Sequence, residues 1–422
     1  MSLPFKIHRY LLMTLDPVHV GTGGYRLGRV DLSIVREPGT RLPKIPGTSL
    51  HGAIRHYAAY RYGKKQCAGH GQKEHCAAPA CPVCYTFGYA KGEGGGHAGV
   101  VSIGDARVLL FTVYSIAGPL WVSTEELLTE AGFAVKTEAG FAVKTAEATK
   151  KDGPEVLSTM NWNGPLNLGW LMVEIKKQVQ IERPPVKEKG TANPDGPFKE
   201  WDIVKDRVVL VPPRIFSQIV NSNLEVRTSV SIDPRTGAAA EGALYTYEAI
   251  PRAAFLWLDV IIDDYREAFP AYQSLRNWEE ILNHSNTRKQ DAFALLKKTG
   301  YLAGYSDIPA GPDSDYRKKF DSDFADACSN LKGIIAEEKK YYEKNSSLRK
   351  GYRWGKTDHE DTPADVIAAG LEWAEHLGIG GMGTRGFGRV RTVGEPWEAS
   401  AAYCDNDNNT FFKGSAQEGG KS

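Results

Sequence analysis

The sequence predicts an α+β protein, and three observations carry that expectation. Strand-like runs recur at residues 6–15, 30–36, 100–114, 207–211 and 255–262. Helical stripes begin at Ser49 and occupy residues 363–377. A charge-dense span, 263–356, carries helical stretches of its own and is read as an insertion or small second domain. Of the 422 residues, 41% are hydrophobic, enough to bury a sizeable core, so a disordered chain is excluded. No run of 18 apolar residues occurs, which excludes a membrane-spanning helix. The N-terminus, MSLPFKIHRYLLMTL, has neither the long apolar region nor the small-residue cleavage site of a signal peptide. The chain therefore reads as cytoplasmic.

Taken in order, residues 6–15 form a first strand, apolar apart from its basic start. A glycine-rich loop, GTGGYRLG at 21–28, follows. In the strand at 30–36 a period of two puts Val30, Leu32 and Ile34 on one face and Asp31 and Ser33 on the other. The acid is thus aimed away from the side its neighbours bury. A lone Asp in a strand is more commonly salt-bridged than catalytic, and Arg29 or Arg36 could pair with it. A Pro46-Gly47 turn then opens a helix with Thr48 or Ser49 as N-cap. Leu50, Ile54, Tyr57 and Arg61 share its stripe, and Gly52 and Ala53 allow close backbone approach.

Charge is uneven. Residues 1–65 carry 11 Lys/Arg against 3 Asp/Glu, whereas the rest carry 41 against 48, although the net charge is only +1. Basic charge gathered in one region is the footprint of a polyanion site, or else a solvated basic face.

Residues 67–99 are rich in Cys, His and Gly. Four of the six cysteines sit here, at Cys67, Cys76, Cys81 and Cys84. Cys81-Pro-Val-Cys84 has the knuckle spacing of a zinc site, and upstream thiolates complete a tetrahedron. His70 or His75 could substitute for one of them. No thioredoxin-like unit supports a redox reading, and disulfides do not suit a cytoplasmic chain. Four ligands leave no open position, so the zinc is read as structural. Cys328 and Cys404 are isolated and read as ordinary thiols.

A perfect tandem octapeptide, TEAGFAVK, occupies 129–136 and 137–144. Two copies are too few for a repeat fold, so a duplicated surface segment is expected. Residues 182–199 read as a loop and 213–220 as a short helix. Residues 225–250 alternate on both sides of a turn at 234–237, a hairpin signal, and Phe255–Ile262 reads as a buried strand. Within the helical span the clearest stretches are 292–298 and 323–342; Pro363–Leu377 is an amphipathic helix, and the polar tail after Trp397 is expected to be disordered.

The helix at 363–377 runs into GIGGMGTRGFGRVR. Residues 378–383 spell G-x-G-x-x-G, but here a helix precedes and a strand follows, the reverse of a dinucleotide fingerprint. That reading is rejected. What remains is six glycines in eleven residues, with Arg385, Arg389 and Arg391 and no acid. A helix C-cap needs one glycine, so the excess favours backbone contact with phosphates.

Several blocks now resemble one family. DLSIVR at 31–36, IPGTSLHGAIR at 45–55, CPVCYTFG at 81–88, RTSVSID at 227–233, TGAAAEGAL at 236–244, EAIP at 248–251 and the segment 378–390 are similar to the RAMP superfamily. More narrowly, they resemble backbone subunits of type III CRISPR effector complexes. The resemblance implies a ferredoxin-like, RRM-related core spanning 1–262 and 357–397. It adds a zinc region at 64–99 and a thumb hairpin at about 225–251; the helical insertion at 263–356 has no counterpart in the family, and the polar tail at 398–422 reads as disordered.

The resemblance further implies a prokaryotic subunit that binds CRISPR RNA, stacks with other effector subunits and meets a single-stranded target RNA. Carried onto this chain, Asp31 matches the residue that cuts the target. Ser49, Arg55 and the Gly383-Thr384-Arg385 loop match guide-backbone contacts, with Arg36 and Arg227 as further candidate RNA contacts. RNA supplies its own nucleophile, the 2′-hydroxyl, so a single carboxylate with Mg2+ or Mn2+ could suffice. Two alternatives stay open: a scaffold that does not cleave, and a stand-alone CRISPR-RNA processing nuclease that uses a histidine.

Overall fold

The computed structural model describes residues 5–23, 30–69, 75–76, 78–91, 95–137, 156–184, 199–238, 244–311, 314–344 and 361–399. Its centre is the pairing of Lys6–Thr14 with Phe255–Ile262, antiparallel from Lys6 opposite Ile262 to Met13 opposite Phe255. The alternation expected of a strand buried on both faces is present. Tyr10, Leu12, Leu256, Leu258 and Val260 enter one core, while Leu11, Phe255 and Trp257 enter another on the opposite face. Around this pair a large mixed sheet is built. Its order is Pro165–Leu168, Leu171–Glu182, Val156–Ser158, Val208–Leu210, Gly118–Ser123, Ala106–Ser115, Phe255–Ile262, Lys6–Thr14 and Val390–Thr392. The chain is therefore α+β, as expected.

On the first face lie the opening helix, Gly47–Arg61, and the late helix, Pro363–Leu377. They meet at Gly370, where an added Cβ would collide with the Ile54 carbonyl oxygen. Gly370 is thus the residue that lets the backbones approach. At Gly52 an added Cβ would meet nothing within 4 Å, so the close approach expected there is not what that glycine provides. The opening helix starts one residue before Thr48. Pro46 stands at its N-cap, and no side-chain cap from Thr48 or Ser49 forms. The Asp105 carboxylate takes the Gly47 N–H at 2.7 Å and the Lys44 ammonium at 2.5 Å, and so satisfies this helix start from within the protein.

The second face is closed by Glu125–Glu130 and Lys199–Val204. The first copy of the octapeptide belongs to this core. Phe133 is 2% exposed and lies 4.8 Å, ring to ring, from Trp201, and Val135 is buried beside it. The expectation of a surface segment is corrected: the copy ends a helix and begins the strand Ala134–Thr137, which pairs with Leu171–Glu182. The rest of the second copy lies outside the described residues, as do most of the loop at 182–199 and the tail from 400. Trp397–Glu398 pairs with the first strand, so the ordered chain reaches slightly beyond the expected boundary.

Three helices fill the described part of 263–356: Tyr272–Asn283, Lys289–Lys298 and Asp315–Lys344. Leu275, Leu282, Leu296, Phe320, Leu331 and Ile335 make their interior continuous with the core under the opening helix. Lys64, just after that helix, forms an ion pair with Glu338, and the two are only 8% and 4% exposed. Glu338→Ala leaves this ammonium buried without its partner, so a loss of about 3–5 kcal/mol is expected by denaturant titration. A joint Lys64→Met/Glu338→Leu change should recover most of that loss.

Candidate functional site

Residues 225–250 form the expected hairpin, with Glu225–Ser229 paired against Tyr245–Ala249. The hairpin forms its own two-stranded sheet and sorts its side chains by strand alternation. Tyr245 and Tyr247 face the C-terminal glycine loop, where Tyr247 packs against Phe387 at 5.4 Å. Thr246 and Glu248 face the other way, onto residues 31–36.

Residues 30–36 do not make a regular strand. They run alongside the hairpin through isolated bridges, Leu32 parallel to Tyr247, with Gly21–Ile34 and Arg36–Pro43 closing further contacts. The expected two-sidedness holds in part: Val30 and Ile34 are buried and Asp31 is exposed, but Leu32 is only half-buried and the Ser33 hydroxyl is buried. The departure from a strand follows from side chains doing the joining. Glu248 accepts the Ile34 N–H at 2.9 Å and clasps Arg36 with two bonds of 2.7 Å. Asn221 takes the Arg36 Nε at 2.9 Å. Arg36, expected at RNA, is thus a clasp between this segment and the hairpin, and it is not the ion-pair partner of Asp31. Arg29 lies outside the described residues.

Among the described residues, the side chain of Asp31 is held by Thr246. The Thr246 N–H and hydroxyl both donate to Asp31 Oδ2, at 2.7 and 2.8 Å, and the Asp31 N–H donates back to the Thr246 hydroxyl at 3.1 Å. These bonds, the backbone one first, hold the Asp31 carboxyl below its ordinary value of 3.8. The group is a carboxylate at neutral pH, exposed and fixed in orientation.

The glycine loop closes the third side. An added Cβ at Gly378 or Gly388 would press on the backbone across the loop, and one at Gly380 would strike the His19 carbonyl. Gly381 donates to that carbonyl at 2.8 Å, and Gly388 donates to Pro17 at 2.9 Å. Part of the glycine excess therefore serves the loop's own packing, a correction to the phosphate argument. Gly383, Thr384, Arg385 and Gly386 remain exposed. Arg385 donates to the Tyr245 hydroxyl and reaches Ser229 at 3.3 Å. Bonds with Ser229 and Arg385 lower the Tyr245 phenol below its ordinary range. Arg227 stacks 4.7 Å over Phe387, and Arg389 pairs with Asp16 at 2.5 Å. An open cleft of about 390 Å³ runs between this loop and the opening helix, lined by Gly52, Ala53, His56, Tyr57 and Gly383 among others. Ser49 sits half-exposed on the first turn of that helix.

Arg227, Gly383, Thr384 and Arg385 therefore gather where the hairpin meets the glycine loop, while Asp31 is held to the hairpin through Thr246. Arg55 does not join them. Only 8% exposed, it donates to the carbonyls of Cys67 at 2.9 Å and Gly88 at 2.7 Å, and to His75 Nδ1 at 3.1 Å. It braces the cysteine region.

That region brings Cys67, Cys76, Cys81 and Cys84 together, their sulfurs all within 4.8 Å of one another. Four of the separations are 3.3, 3.5, 3.7 and 3.9 Å. Zinc–thiolate bonds of about 2.3 Å in a tetrahedron require sulfurs about 3.8 Å apart, so the set fits a tetrahedral metal. Hydrogen bonds from the other three sulfurs push the Cys67 thiol far down. His75 is turned to Arg55 and is not a member of the cluster; His70 lies outside the described residues.

Thr246, Glu248 and Tyr245 were not marked as functional by the sequence. Strand alternation about the hairpin was the one available signal, since it separates Thr246 and Glu248 from the two tyrosines.

Known proteins bear on this arrangement. Over 255 residues, 60% of this chain and 80% of the relative, it is 24% identical to the CRISPR system Cmr endoribonuclease Cmr4 of Pyrococcus furiosus. A stretch of 46 residues is 46% identical to the CRISPR system Cms endoribonuclease Csm3 of Mycobacterium tuberculosis, covering 11% of this chain and 20% of that one. Among solved structures, a type III-B Cmr-beta complex bound to cognate target RNA aligns at 14% identity and a TM-score of 0.40, covering 61% of this chain and 84% of that one. Oligomeric Cmr4 from Pyrococcus furiosus aligns at 20% and 0.38, covering 66% and 88%. Residues 11–302, well over half of the chain, match the family model described as the RAMP superfamily, and the chain belongs to that superfamily.

Proposed function

We propose that this protein is a guide-RNA-binding backbone subunit of a type III CRISPR effector complex, and that it cleaves the RNA paired to the guide. The observation that carries the reading is Asp31: an exposed carboxylate, kept charged and aimed by Thr246 of the hairpin. Family membership and the likeness to Cmr4 support it.

The chemistry asks little of the protein. The target's 2′-hydroxyl attacks the adjacent phosphorus, the bond to the 5′-oxygen breaks, and a 2′,3′-cyclic phosphate and a 5′-hydroxyl result. The chain must hold the backbone in line and manage charge. Val230, Ile232 and Leu244, all exposed beyond the paired part of the hairpin, suit a wedge that splays a nucleotide. Arg227 and Arg385 suit phosphates flanking it. One carboxylate is not a metal cage, but it fits a hydrated Mg2+ or Mn2+ shared with the scissile phosphate, where the cation would offset developing charge. Ser49, Thr384 and the cleft beside Gly383 are proposed to take the guide backbone. The cysteine cluster is proposed to hold a structural Zn2+.

The histidine-dependent alternative has less support. His19, on the segment leading toward Asp31, is 6% exposed and donates to the Glu248 carbonyl at 2.7 Å. Guide binding is tested by purifying the chain from cells that express a CRISPR array. RNA of discrete length carrying array sequence, together with partner subunits, is expected. Protein free of RNA would contradict the reading.

A further inference from the structure

We infer that Thr246 is the positioning residue for Asp31, so that the hairpin itself aims the cleaving carboxylate. The inference rests on the proposed role of Asp31. The two residues are 215 positions apart, yet they share three hydrogen bonds in one closed loop. The Thr246 hydroxyl gives its proton to Oδ2 and accepts the Asp31 N–H, so it fixes both the carboxylate and the backbone that carries it. Both donors fall on Oδ2, which, among the described residues, leaves Oδ1 as the oxygen presented to solvent. The adjoining rungs hold the same register. Leu32 donates to the Thr246 carbonyl at 3.0 Å, Glu248 donates to the Leu32 carbonyl at 3.2 Å, and the Glu248 carboxylate clasps Arg36 beyond it.

An exposed aspartate without such a clasp samples several rotamers, and each misplacement costs rate at an in-line phosphoryl centre. Because the clasp sits on the hairpin, any displacement of the hairpin as RNA seats would move the carboxylate with it. Binding geometry and cutting are thereby linked through one side chain.

The test compares Thr246→Val, Thr246→Ser and Asp31→Ala in the assembled, guide-loaded complex under single-turnover conditions. Valine keeps the β-branched shape and the backbone N–H but removes the hydroxyl. The inference expects about a tenfold loss of cleavage rate in Thr246→Val, the size of one charge-assisted hydrogen bond, with target binding unchanged. Thr246→Ser should stay within about threefold of wild type, since it keeps the hydroxyl. Loss in valine with recovery in serine, at unchanged target binding, is what a merely structural role would not give. Wild-type rate in Thr246→Val, alongside an inactive Asp31→Ala, would overturn the positioning role alone. Full cleavage by Asp31→Ala would instead overturn the catalytic reading on which it rests.

Discussion

Asp31→Ala should lower cleavage of guide-paired RNA by about 10²–10⁴-fold, the range associated with losing one acid–base or charge-managing group. Assembly and guide content should be unchanged. The side chain is exposed, its removal opens no cavity, and substitutions at such positions usually change stability by less than about 0.5 kcal/mol. The backbone register beside it is kept by Leu32, Ile34 and the Arg36–Glu248 clasp, none of which needs the Asp31 carboxylate. The lowered pKa of Asp31 also bears on pH dependence. Its carboxyl lies below the ordinary value of 3.8, so it stays charged at every pH above that, and cleavage should not fall through its protonation at mildly acidic pH. Assembly assays and rate measurements on the same preparations check both statements.

Cys84→Ser should have the second large effect, on structure and not on chemistry. Cys84 lies on the short helix Pro82–Phe87 within a mostly buried set of sulfurs, and the two-stranded hairpin Gly88–Lys91 and Gly95–Ala98 follows directly. A bound tetrahedral metal would tie these short elements together, and zinc in small metal-folded units contributes about 10 kcal/mol or more. Expected are one metal per chain in the wild type, its loss in Cys84→Ser, and faster amide exchange over residues 65–98. The central pair Lys6–Thr14 and Phe255–Ile262 should keep most of its protection, because the core on its second face, entered by Leu11, Phe255 and Trp257, contains none of the four cysteines. Arg55 would lose its purpose, since the Cys67 and Gly88 carbonyls it bridges would no longer be held together. Thiolates must be deprotonated to bind, so metal retention should fall as pH falls. Unchanged metal content and exchange in Cys84→Ser would remove the proposal of a metal centre.

Much of the fold was legible because local patterns decided it. The helix Pro363–Leu377 and the strand Phe255–Ile262 lie where their periodicity put them, and the hairpin follows its alternation and its turn. The four cysteines meet as their spacing suggested. What the sequence hid were long-range pairings of polar groups. Nothing local says whether an arginine ends in solvent, on a carboxylate or on carbonyl oxygens, and the family resemblance that suggested Arg55 as an RNA contact, with Arg36 as a further candidate, did not supply that either. Asp31 and Thr246 are separated by too much chain for spacing to link them. Glycines misled in the same way: a residue that lets a backbone approach a phosphate equally lets it approach another strand of its own chain, as Gly378 and Gly388 do. The octapeptide looked like surface because duplication carries no information about burial, and Phe133 is one of the better-buried rings in the molecule.

The ends of the cut RNA test the account most directly. A labelled target paired to the guide in the assembled complex should yield fragments at a fixed position, one ending in a 2′,3′-cyclic phosphate and the other beginning with a 5′-hydroxyl. The same complex carrying Asp31→Ala should leave that target whole. Fragments with 3′-hydroxyl and 5′-phosphate ends, or identical cutting by Asp31→Ala, would contradict an Asp31-dependent attack by the RNA's own hydroxyl.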